Sequence, residues 1–216
     1  MALTLTRLGH SCVRVETPHG AFSIDPGTFS DVPAALDGVP VVLVTHVHPD
    51  HVDVEALAAA DGIDVHAPAQ VLEALAAAGA RADRLHAVTA GDRWTLAGVE
   101  VEVLGELHEV FHPDVPRPAN VAYLLDGAVL HPGDSYTRPA PGTRVEVLLE
   151  PVGAPWLRLG DVVDHVRAVA PRRVVPIHDA VLSDAGRAMA VRLLTQLTDA
   201  DVQVVATGER VVVEDR

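Results

Sequence analysis

The sequence predicts an α/β fold in which two β-sheets pack together and helices cover their outer faces. The first half of the 216-residue chain is rich in hairpin signals, and both halves alternate strand-like with helix-like segments. No linker, low-complexity tract or tandem repeat separates the halves. Two packed sheets with external helices accommodate this order, and we expect one domain over residues 1–216.

The first half is predicted to begin with a three-stranded meander over residues 3–25, because LTLTRL, SCVRVET and AFSID are strand-like and PHG is a turn. The apolar, β-branched run VVLVT (41–45) is typical of a buried strand. Ala- and Leu-rich residues 53–60 and 68–78 are predicted to be helical. Residues 92–104 are predicted to form a hairpin that turns at Ala97-Gly98.

The second half opens with residues 105–118, where three prolines and two histidines predict a long loop, here called the proline-rich loop. Residues 119–131 follow as a hairpin, with Asp126-Gly127 as a type I′ turn signal. The remaining pattern predicts strands at 145–151, 173–177, 202–206 and 210–215, and helices at 159–169 and 184–198.

Composition narrows the classes of function. There are 30 acidic and 16 basic residues, a formal charge of -14, whereas nucleic-acid binders carry a basic face. The single cysteine, Cys12, excludes an internal disulfide and a cysteine-rich zinc module. The N-terminus lacks a secretory signal pattern, and no apolar run reaches the roughly 20 residues that span a bilayer. We therefore expect a cytoplasmic protein that binds neither nucleic acid nor membrane.

The strongest chemical signal is THVHPDHVD, residues 45–53, here called the motif segment. Imidazole and carboxylate groups are good ligands for zinc and similar divalent ions. His46 and His48 lie two residues apart in an extended segment and can point to the same side, while Asp50 and His51 follow in a turn within reach of a second ion. Paired ions about 3.5–4 Å apart suit a bridging hydroxide nucleophile. A solvated, histidine-rich turn is the alternative, because the chain has 12 histidines.

Further candidate ligands or supporting groups follow apolar strands. Asp25 ends AFSID, His108 follows VEVEVLGEL, Asp134 follows AVLHPG and His178 follows RVVPI. Open α/β sheets present their sites at strand ends, so these residues and the motif segment are expected to converge.

In order and approximate spacing, these residues resemble the five motifs of the metallo-β-lactamase superfamily over almost the whole chain. The segments LGHSCVRVETPHGAFSIDPG and HPGDS are more similar to small bacterial hydrolases related to ascorbate-6-phosphate lactonase. The resemblance implies a four-layer αβ/βα sandwich of two mixed sheets, with metals at one edge of the sheets.

The resemblance also implies a ligand set. His46, His48 and His108 would bind the first ion, Asp50, His51 and His178 the second, and Asp134 both. Asp25 would orient a ligand by a hydrogen bond, as metal sites generally require. Zinc is the expected ion, with manganese or iron as alternatives.

Several positions stay open. His112 lies four residues after His108 and is the alternative ligand; otherwise it is a pocket or surface residue. His10 lies near the centre in this family or is a structural histidine. Trp156 is a pocket or core residue, and Arg117, Arg138 and Arg158 are surface charges or hold an anionic substrate.

The expected activity is hydrolysis of an ester, lactone, amide or phosphodiester bond in a small polar metabolite by hydroxide held between two metals. Asp50 would orient the nucleophile and transfer its proton. The alternatives are a phosphodiesterase or nuclease of the same superfamily, a diiron redox protein, and a non-catalytic metal-binding protein. Against the diiron alternative, His48 stands where such proteins typically have Glu.

Overall fold

The computed structural model describes residues 3–105 and 107–214, whose strands form two seven-stranded sheets. The first sheet contains β1 (Leu3–Gly9), β2 (Cys12–Thr17), β3 (Gly20–Ile24), β4 (Val41–Leu43), β5 (Asp64–Ala67), β6 (Leu85–Ala87) and β14 (Arg210–Val213). Its order is β14-β1-β2-β3-β4-β5-β6. The meander β1–β3 is antiparallel, whereas β3 to β6 run parallel.

The second sheet repeats this plan. It contains β7 (Arg93–Leu96), β8 (Val99–Leu104), β9 (Ala122–Leu125), β10 (Val129–His131), β11 (Val147–Pro151), β12 (Arg173–Ile177) and β13 (Asp201–Val202). Its order is β13-β12-β11-β10-β9-β8-β7. Strands β7 to β10 are antiparallel and β10 to β13 are parallel, so each sheet is mixed.

In the described part of the chain, five α-helices accompany the sheets: α1 (Val32–Leu36), α2 (Val54–Ala59), α3 (Ala69–Ala77), α4 (Leu159–Val169) and α5 (Asp184–Leu197). A short 3₁₀ turn covers Ala82–Arg84. Helix α2 begins where the Asp53 side chain accepts the Ala56 N–H, and α5 begins where Ser183 accepts the Gly186 N–H. Helix α4 buries residues spaced three or four apart on one face, including Val162, Val166 and Val169.

Within the described residues the core contains three large apolar clusters and a small one formed by Leu8, Cys12 and Ala35. Phe22, Ile24 and other residues of the first sheet pack against Tyr123, Leu125 and other residues of the second. Outside the first sheet, α2 and α3 cover a second cluster, and α4 and α5 cover a third outside the second sheet. The layers run helix, sheet, sheet, helix, which confirms the predicted four-layer sandwich. Its driving force is burial of Val, Leu and Ala area, because aromatic residues make up only 3% of the chain.

Some predicted elements differ from those observed. The sequence pattern missed α1, β5 and β6, which are three to five residues long and too short to show periodicity. The strand predicted at 202–206 was wrong beyond Val202, because the backbone leaves the sheet and Val205 turns into the core between the sheets. None of the helices formed by residues 3–105 and 107–214 is long and apolar enough to cross a bilayer.

Candidate metal centre

The predicted strand-end residues meet at one edge of the two sheets. The first sheet supplies Asp25 after β3 and the motif segment after β4. The second sheet supplies His108 beyond β8, Asp134 after β10 and His178 directly after β12. A site built across both sheets has its geometry fixed by the packed core beneath it.

One group of potential ligands consists of His46, His48, His108 and Asp134, whose ligand atoms lie within 4.8 Å of one another. His46 Nε2 is 3.0 Å from His48 Nδ1, and His108 Nε2 is 3.3 Å from Asp134 Oδ2. His46, His108 and Asp134 are buried, whereas His48 is partly exposed. The group is therefore open to solvent on the side of His48.

A second group contains Asp50, His51 and His178, with His10 beside them. His178 Nε2 lies 3.3 Å from Asp50 Oδ2 and 3.3 Å from Asp134 Oδ2, and His51 Nε2 lies 3.1 Å from Asp134 Oδ1. Asp134 thus contacts histidines of both groups, the position that a bridging carboxylate needs.

Asp25 and Thr45 orient the two buried histidines of the motif segment. Asp25 Oδ1 accepts the Thr45 backbone N–H, and Asp25 Oδ2 accepts the Thr45 hydroxyl and His51 Nδ1–H, each at 2.7 Å. Because the Thr45 hydroxyl donates to Asp25, its oxygen is free to accept Nδ1–H of His46 at 3.1 Å. Both rings therefore carry the proton on Nδ1 and direct Nε2 into the cluster.

Backbone carbonyls fix the other two rings in the same way. His108 Nδ1–H donates to the carbonyl of Glu109 and His178 Nδ1–H to that of Gly153, both at 2.6 Å. The Asp134 backbone is held in turn, since its N–H donates to Asn120 Oδ1 at 2.9 Å. Three of these supporting groups are not apparent from the sequence: Thr45, Asn120 and Gly153. A polar residue directly before the first motif histidine was the only local signal for any of them.

Unpaired buried atoms test whether these residues fit a cation. Among the described residues, His51 Nε2, His108 Nε2, His178 Nε2 and Asp134 Oδ1 are buried and form no hydrogen bond. Buried polar atoms left without partners cost about 1–3 kcal/mol each, so four at one point require an explanation. Three aligned imidazole nitrogens and a carboxylate oxygen match the ligands that zinc and similar ions take. The residues present fit a metal centre.

The electrostatics agree with this fit. Burial and the neighbouring His51 hold the pKa of His46 well below its ordinary range, so this ring is neutral and can bind a metal. Burial opposes charge on His51 and His178, but nearby carboxylates raise the pKa of His51 well above its usual value and that of His178 to about 9. Burial opposes charge on Asp134 as well, but the neighbouring His51, His108 and His178 hold its pKa well below the ordinary value, so this carboxylate is available as an anionic ligand. Binding of a divalent ion needs each ligand nitrogen without a proton and would release any proton held there.

His10 supports the centre without offering a ligand atom. The Ala180 N–H donates to His10 Nδ1 at 3.2 Å, so the ring proton lies on Nε2, which donates to Asp50 Oδ2 at 3.1 Å. Both ring nitrogens are therefore occupied. His10 orients Asp50, although distance alone groups it with the ligands.

The backbone at the site is strained and closely packed. His10, Asp25 and His178 have φ angles of 46°, 51° and 56°, in the left-handed region that non-glycine residues rarely adopt. Gly27 has no such angle, yet a Cβ there would lie 2.0 Å from the carbonyl carbon of Asp50. A side chain at Gly27 would displace the motif segment.

The structure separates His108 from His112. His112 is 57% exposed in its side chain, and its Nδ1 accepts the N–H of Asp114. It lies outside both ligand groups, and it does not line the cavity that opens onto them, which is described below. The prediction of a pocket histidine at this position differs from the structure, because the ring packs within its own exposed turn.

Trp156 plays a larger part than its sequence context indicated. Its Nε1–H donates to Asp134 Oδ2 at 2.8 Å, and its ring makes an edge contact with His108 at a centroid distance of 5.7 Å. Of the two positions that the sequence left open for Trp156, pocket and core, the structure shows the pocket, because Trp156 lines the adjoining cavity. No sequence feature of the loop after β11 indicated its contact with Asp134.

A cavity of about 330 Å³ opens directly onto the ligand groups. His48, Asp50, His108, Asp134 and His178 line it on the metal side. The proline-rich loop and the loop after β11 supply the other lining residues, which are mostly apolar: Glu109, Phe111, Val115, Pro116, Arg117, Pro118, Ala154, Pro155 and Trp156. A small molecule in this cavity would contact the predicted ligands.

Comparison with known proteins identifies the family to which the chain is similar. The family model described as "Beta-lactamase superfamily domain" matches residues 4–178. Protein Rv0786c of Mycobacterium tuberculosis is 36% identical over 207 residues, covering 94% of this chain and 96% of its own. A UPF0173 metal-dependent hydrolase of Rhizobium etli is 33% identical over 137 residues, covering 60% of this chain and 58% of its own.

Among solved structures, the metallo hydrolase Igni18 of the archaeon Ignicoccus hospitalis superposes with a TM-score of 0.74 at 21% identity. The match covers 100% of both chains. At this identity the similarity establishes the shared fold alone.

Proposed function

The chain belongs to the beta-lactamase superfamily, and on this premise we propose that it is a metal-dependent hydrolase with a two-ion centre. The observation that carries this proposal is the convergence of three unpaired imidazole nitrogens on Asp134, each held by a hydrogen bond on its far side. The naming of a similar Rhizobium etli protein as a metal-dependent hydrolase supports it.

The ligands divide into two sets. His46, His48 and His108 would hold one ion, and Asp50, His51 and His178 the other, with Asp134 reaching both. We propose zinc, because the set is rich in imidazole, with manganese or iron as alternatives since all three accept histidine and carboxylate ligands. Asp25, Thr45 and His10 would fix the orientation of these ligands.

Bound divalent ions supply a water of lowered pKa and polarise the scissile group. The protein's own contribution is orientation and proton transfer. Asp50 is partly exposed to the cavity, and His10 fixes its Oδ2 from behind. Its carboxylate can therefore accept the proton of the attacking water and pass it to the leaving group. The substrate is a small molecule with an ester, lactone, amide or phosphodiester bond.

Metal analysis is the first test. The protein is purified without added metal, reconstituted with zinc, manganese or iron, and analysed for elements. We expect about two ions per chain, because two ligand sets are available. A reconstituted protein that retains only trace metal contradicts the proposal.

Substitutions at Asp134 and His178 test the bridging role. Asp134→Ala should weaken both ions together, because Asp134 contacts histidines of both groups. His178→Ala should weaken mainly one. Calorimetric titration of zinc into each variant distinguishes them, and unchanged stoichiometry and affinity in Asp134→Ala would remove this residue from the centre.

A panel of lactones, esters, thioesters and phosphodiesters then separates the alternative functions. Turnover of phosphodiesters alone would favour the phosphodiesterase alternative. Two bound ions without turnover of any compound would favour a non-catalytic metal-binding protein.

A further inference from the structure

We infer that the substrate is an amphiphilic acid: a hydrolysable acyl group with a small apolar chain or ring that ends in a carboxylate or similar anion. This inference rests on the proposed function and adds the class of substrate. It follows from two kinds of side chain in the cavity wall, the apolar groups and one arginine; Glu109 is the one acidic lining residue outside the predicted ligand set.

The first kind is apolar. Phe111, Val115 and Pro116 of the proline-rich loop line the cavity together with Pro155 and Trp156 of the loop after β11. Phe111 and Val115 are 54% and 46% exposed, so they present apolar surface to a molecule in the cavity. Exposed apolar side chains beside a polar centre are typical of small-molecule sites, where apolar walls hold the body of the ligand.

The second kind is a single cation. Arg117 is the only lysine or arginine among the lining residues, in a chain with a formal charge of -14. Its Nε–H donates to the carbonyl of His108 at 2.5 Å, which anchors the guanidinium to the backbone of the proline-rich loop. Within the described part of the chain, no carboxylate forms an ion pair with it. Its remaining N–H groups can bind a carboxylate or phosphate in a bidentate manner.

The cavity volume limits the size of the ligand. About 330 Å³ lies at the lower end of the range of roughly 300–1,000 Å³ for small-molecule pockets. A chain of a few methylene groups would fill the apolar part and bring a terminal anion to Arg117 while the acyl carbon lies at the metal centre. In the reaction the oxygen of water bonds to the acyl carbon and the bond from that carbon to the leaving oxygen breaks. One proton of the water passes to the leaving oxygen, and the acid product ionises.

Four 4-nitrophenyl esters test the inference with zinc-loaded protein, because they differ only in the acyl part. The acyl parts are acetyl, hexanoyl, the mono-acyl of adipic acid and 6-aminohexanoyl. We expect kcat/KM to rise at least tenfold from acetyl to hexanoyl through burial of methylene groups. It should rise about tenfold more for the adipate ester, which adds an anion at equal length, and fall below hexanoyl for the cationic ester.

Variants assign these preferences to residues. Arg117→Gln should reduce kcat/KM for the adipate ester severalfold more than for the hexanoyl ester, so that the advantage of the adipate ester is lost. Phe111→Ala should slow the hexanoyl and adipate esters relative to the acetyl ester. Arg81→Gln is the matched control, because Arg81 is an exposed arginine paired with Asp83 and does not line the cavity. Its profile should equal that of the parent.

Binding provides a readout that does not need turnover. Isothermal titration calorimetry with adipate and the uncharged hexanamide should show tighter binding of adipate, and Arg117→Gln should weaken adipate severalfold more than hexanamide. Equal kcat/KM for the acetyl and hexanoyl esters would overturn the apolar part of the inference. An equal effect of Arg117→Gln on both six-carbon ligands would overturn the anionic part. Absence of zinc binding and of all ester hydrolysis would instead contradict the proposed function, while calorimetry would still decide the preference of the cavity.

Discussion

The motif segment and the proline-rich loop both border the cavity, but they are built in opposite ways. Hydrogen bonds to buried and neighbouring groups hold the backbone of the motif segment. The Thr45 N–H donates to Asp25 Oδ1, the Val52 N–H donates to the His48 carbonyl, and the Asp53 N–H donates to the Pro26 carbonyl. In the proline-rich loop, residues 107–118 make few backbone hydrogen bonds and expose Phe111 and Val115. Rigid, buried support serves the metal ligands, whereas the exposed loop supplies the walls that a substrate touches.

This difference has a functional consequence. Catalytic geometry must be held within fractions of an ångström, so it belongs on packed elements. Substrate specificity can change when the sequence of a loop changes, while the scaffold and the metal ligands stay the same. His108 is the exception, because it carries a ligand nitrogen from the loop, and two contacts compensate: its N–H donates to the Pro118 carbonyl and its ring to Glu109.

The largest effect is expected from Gly27→Ala, which disturbs the packing of the motif segment. The new Cβ would lie 2.0 Å from Asp50 backbone atoms, closer than any real contact, so the motif segment must move. We expect destabilisation of about 1–3 kcal/mol or more and loss of both ions. Thermal unfolding and zinc titration measure these effects.

Gly160→Ala is the control for that change. A Cβ at Gly160 meets nothing within 4 Å, and the residue lies in the first turn of α4. Stability and zinc affinity should be unchanged or slightly raised. If Gly27→Ala behaves like Gly160→Ala, the motif segment is not held as tightly as its packing indicates.

The second prediction tests His108, the predicted metal ligand that lies in the proline-rich loop. His108→Ala should lose one ion and nearly all activity, because its Nε2 is buried beside Asp134. His112→Ala should keep both ions, since its ring is exposed and bonds only within its own turn. Elemental analysis and turnover of the two variants show which of the two histidines binds the metal. The reverse result would transfer the ligand role to His112.

The third prediction separates chemistry from binding inside the motif segment. Asp50→Asn keeps the size of the side chain and one oxygen, so zinc binding should survive in part. Turnover at saturating zinc should fall about 10²–10⁴-fold, because the amide cannot accept the proton of the water. Thermal stability should change little, since Asp50 is partly exposed. Parent-like turnover would show that the motif segment is not the catalytic centre.

The same contrast explains what the sequence could predict. Strand-end residues such as Asp25, Asp134 and His178 were identifiable because a polar ligand follows an apolar run, and strand ends gather at one edge. Helix α4 matched its predicted bounds, 159–169, because its buried residues follow the helical period. These are local signals of a rigid scaffold.

The features that the sequence could not predict depend on contacts between segments that are distant along the chain. The tautomer of His10 is fixed by the N–H of Ala180, 170 positions away, and no local pattern reports such a contact. Strands β5 and β6 form by parallel pairing with their neighbours, and their four and three residues are too few to establish a strand pattern in the sequence. Trp156 approaches Asp134 only because the loop after β11 folds over the end of β10.

The smallest effect is expected from Trp156→Phe, which probes the junction of the two regions. Phenylalanine keeps an aromatic wall in the cavity but cannot donate to Asp134 Oδ2, so the carboxylate loses one of the groups that orient it. Removing such a supporting hydrogen bond typically costs 10–100-fold in metal affinity or activity, and we expect the lower end because Asn120 still holds the Asp134 backbone. Zinc affinity by chelator competition and kcat should each fall up to about tenfold, whereas KM should change less because the apolar wall remains.

Trp94→Phe is the matched control for this change. The Trp94 ring stacks on His66, and its buried Nε1 forms no hydrogen bond, so the lost N–H has no partner. Equal zinc affinity and kcat in Trp156→Phe and Trp94→Phe would show that the indole N–H does not support the metal centre, and that Trp156 belongs only to the wall of the cavity.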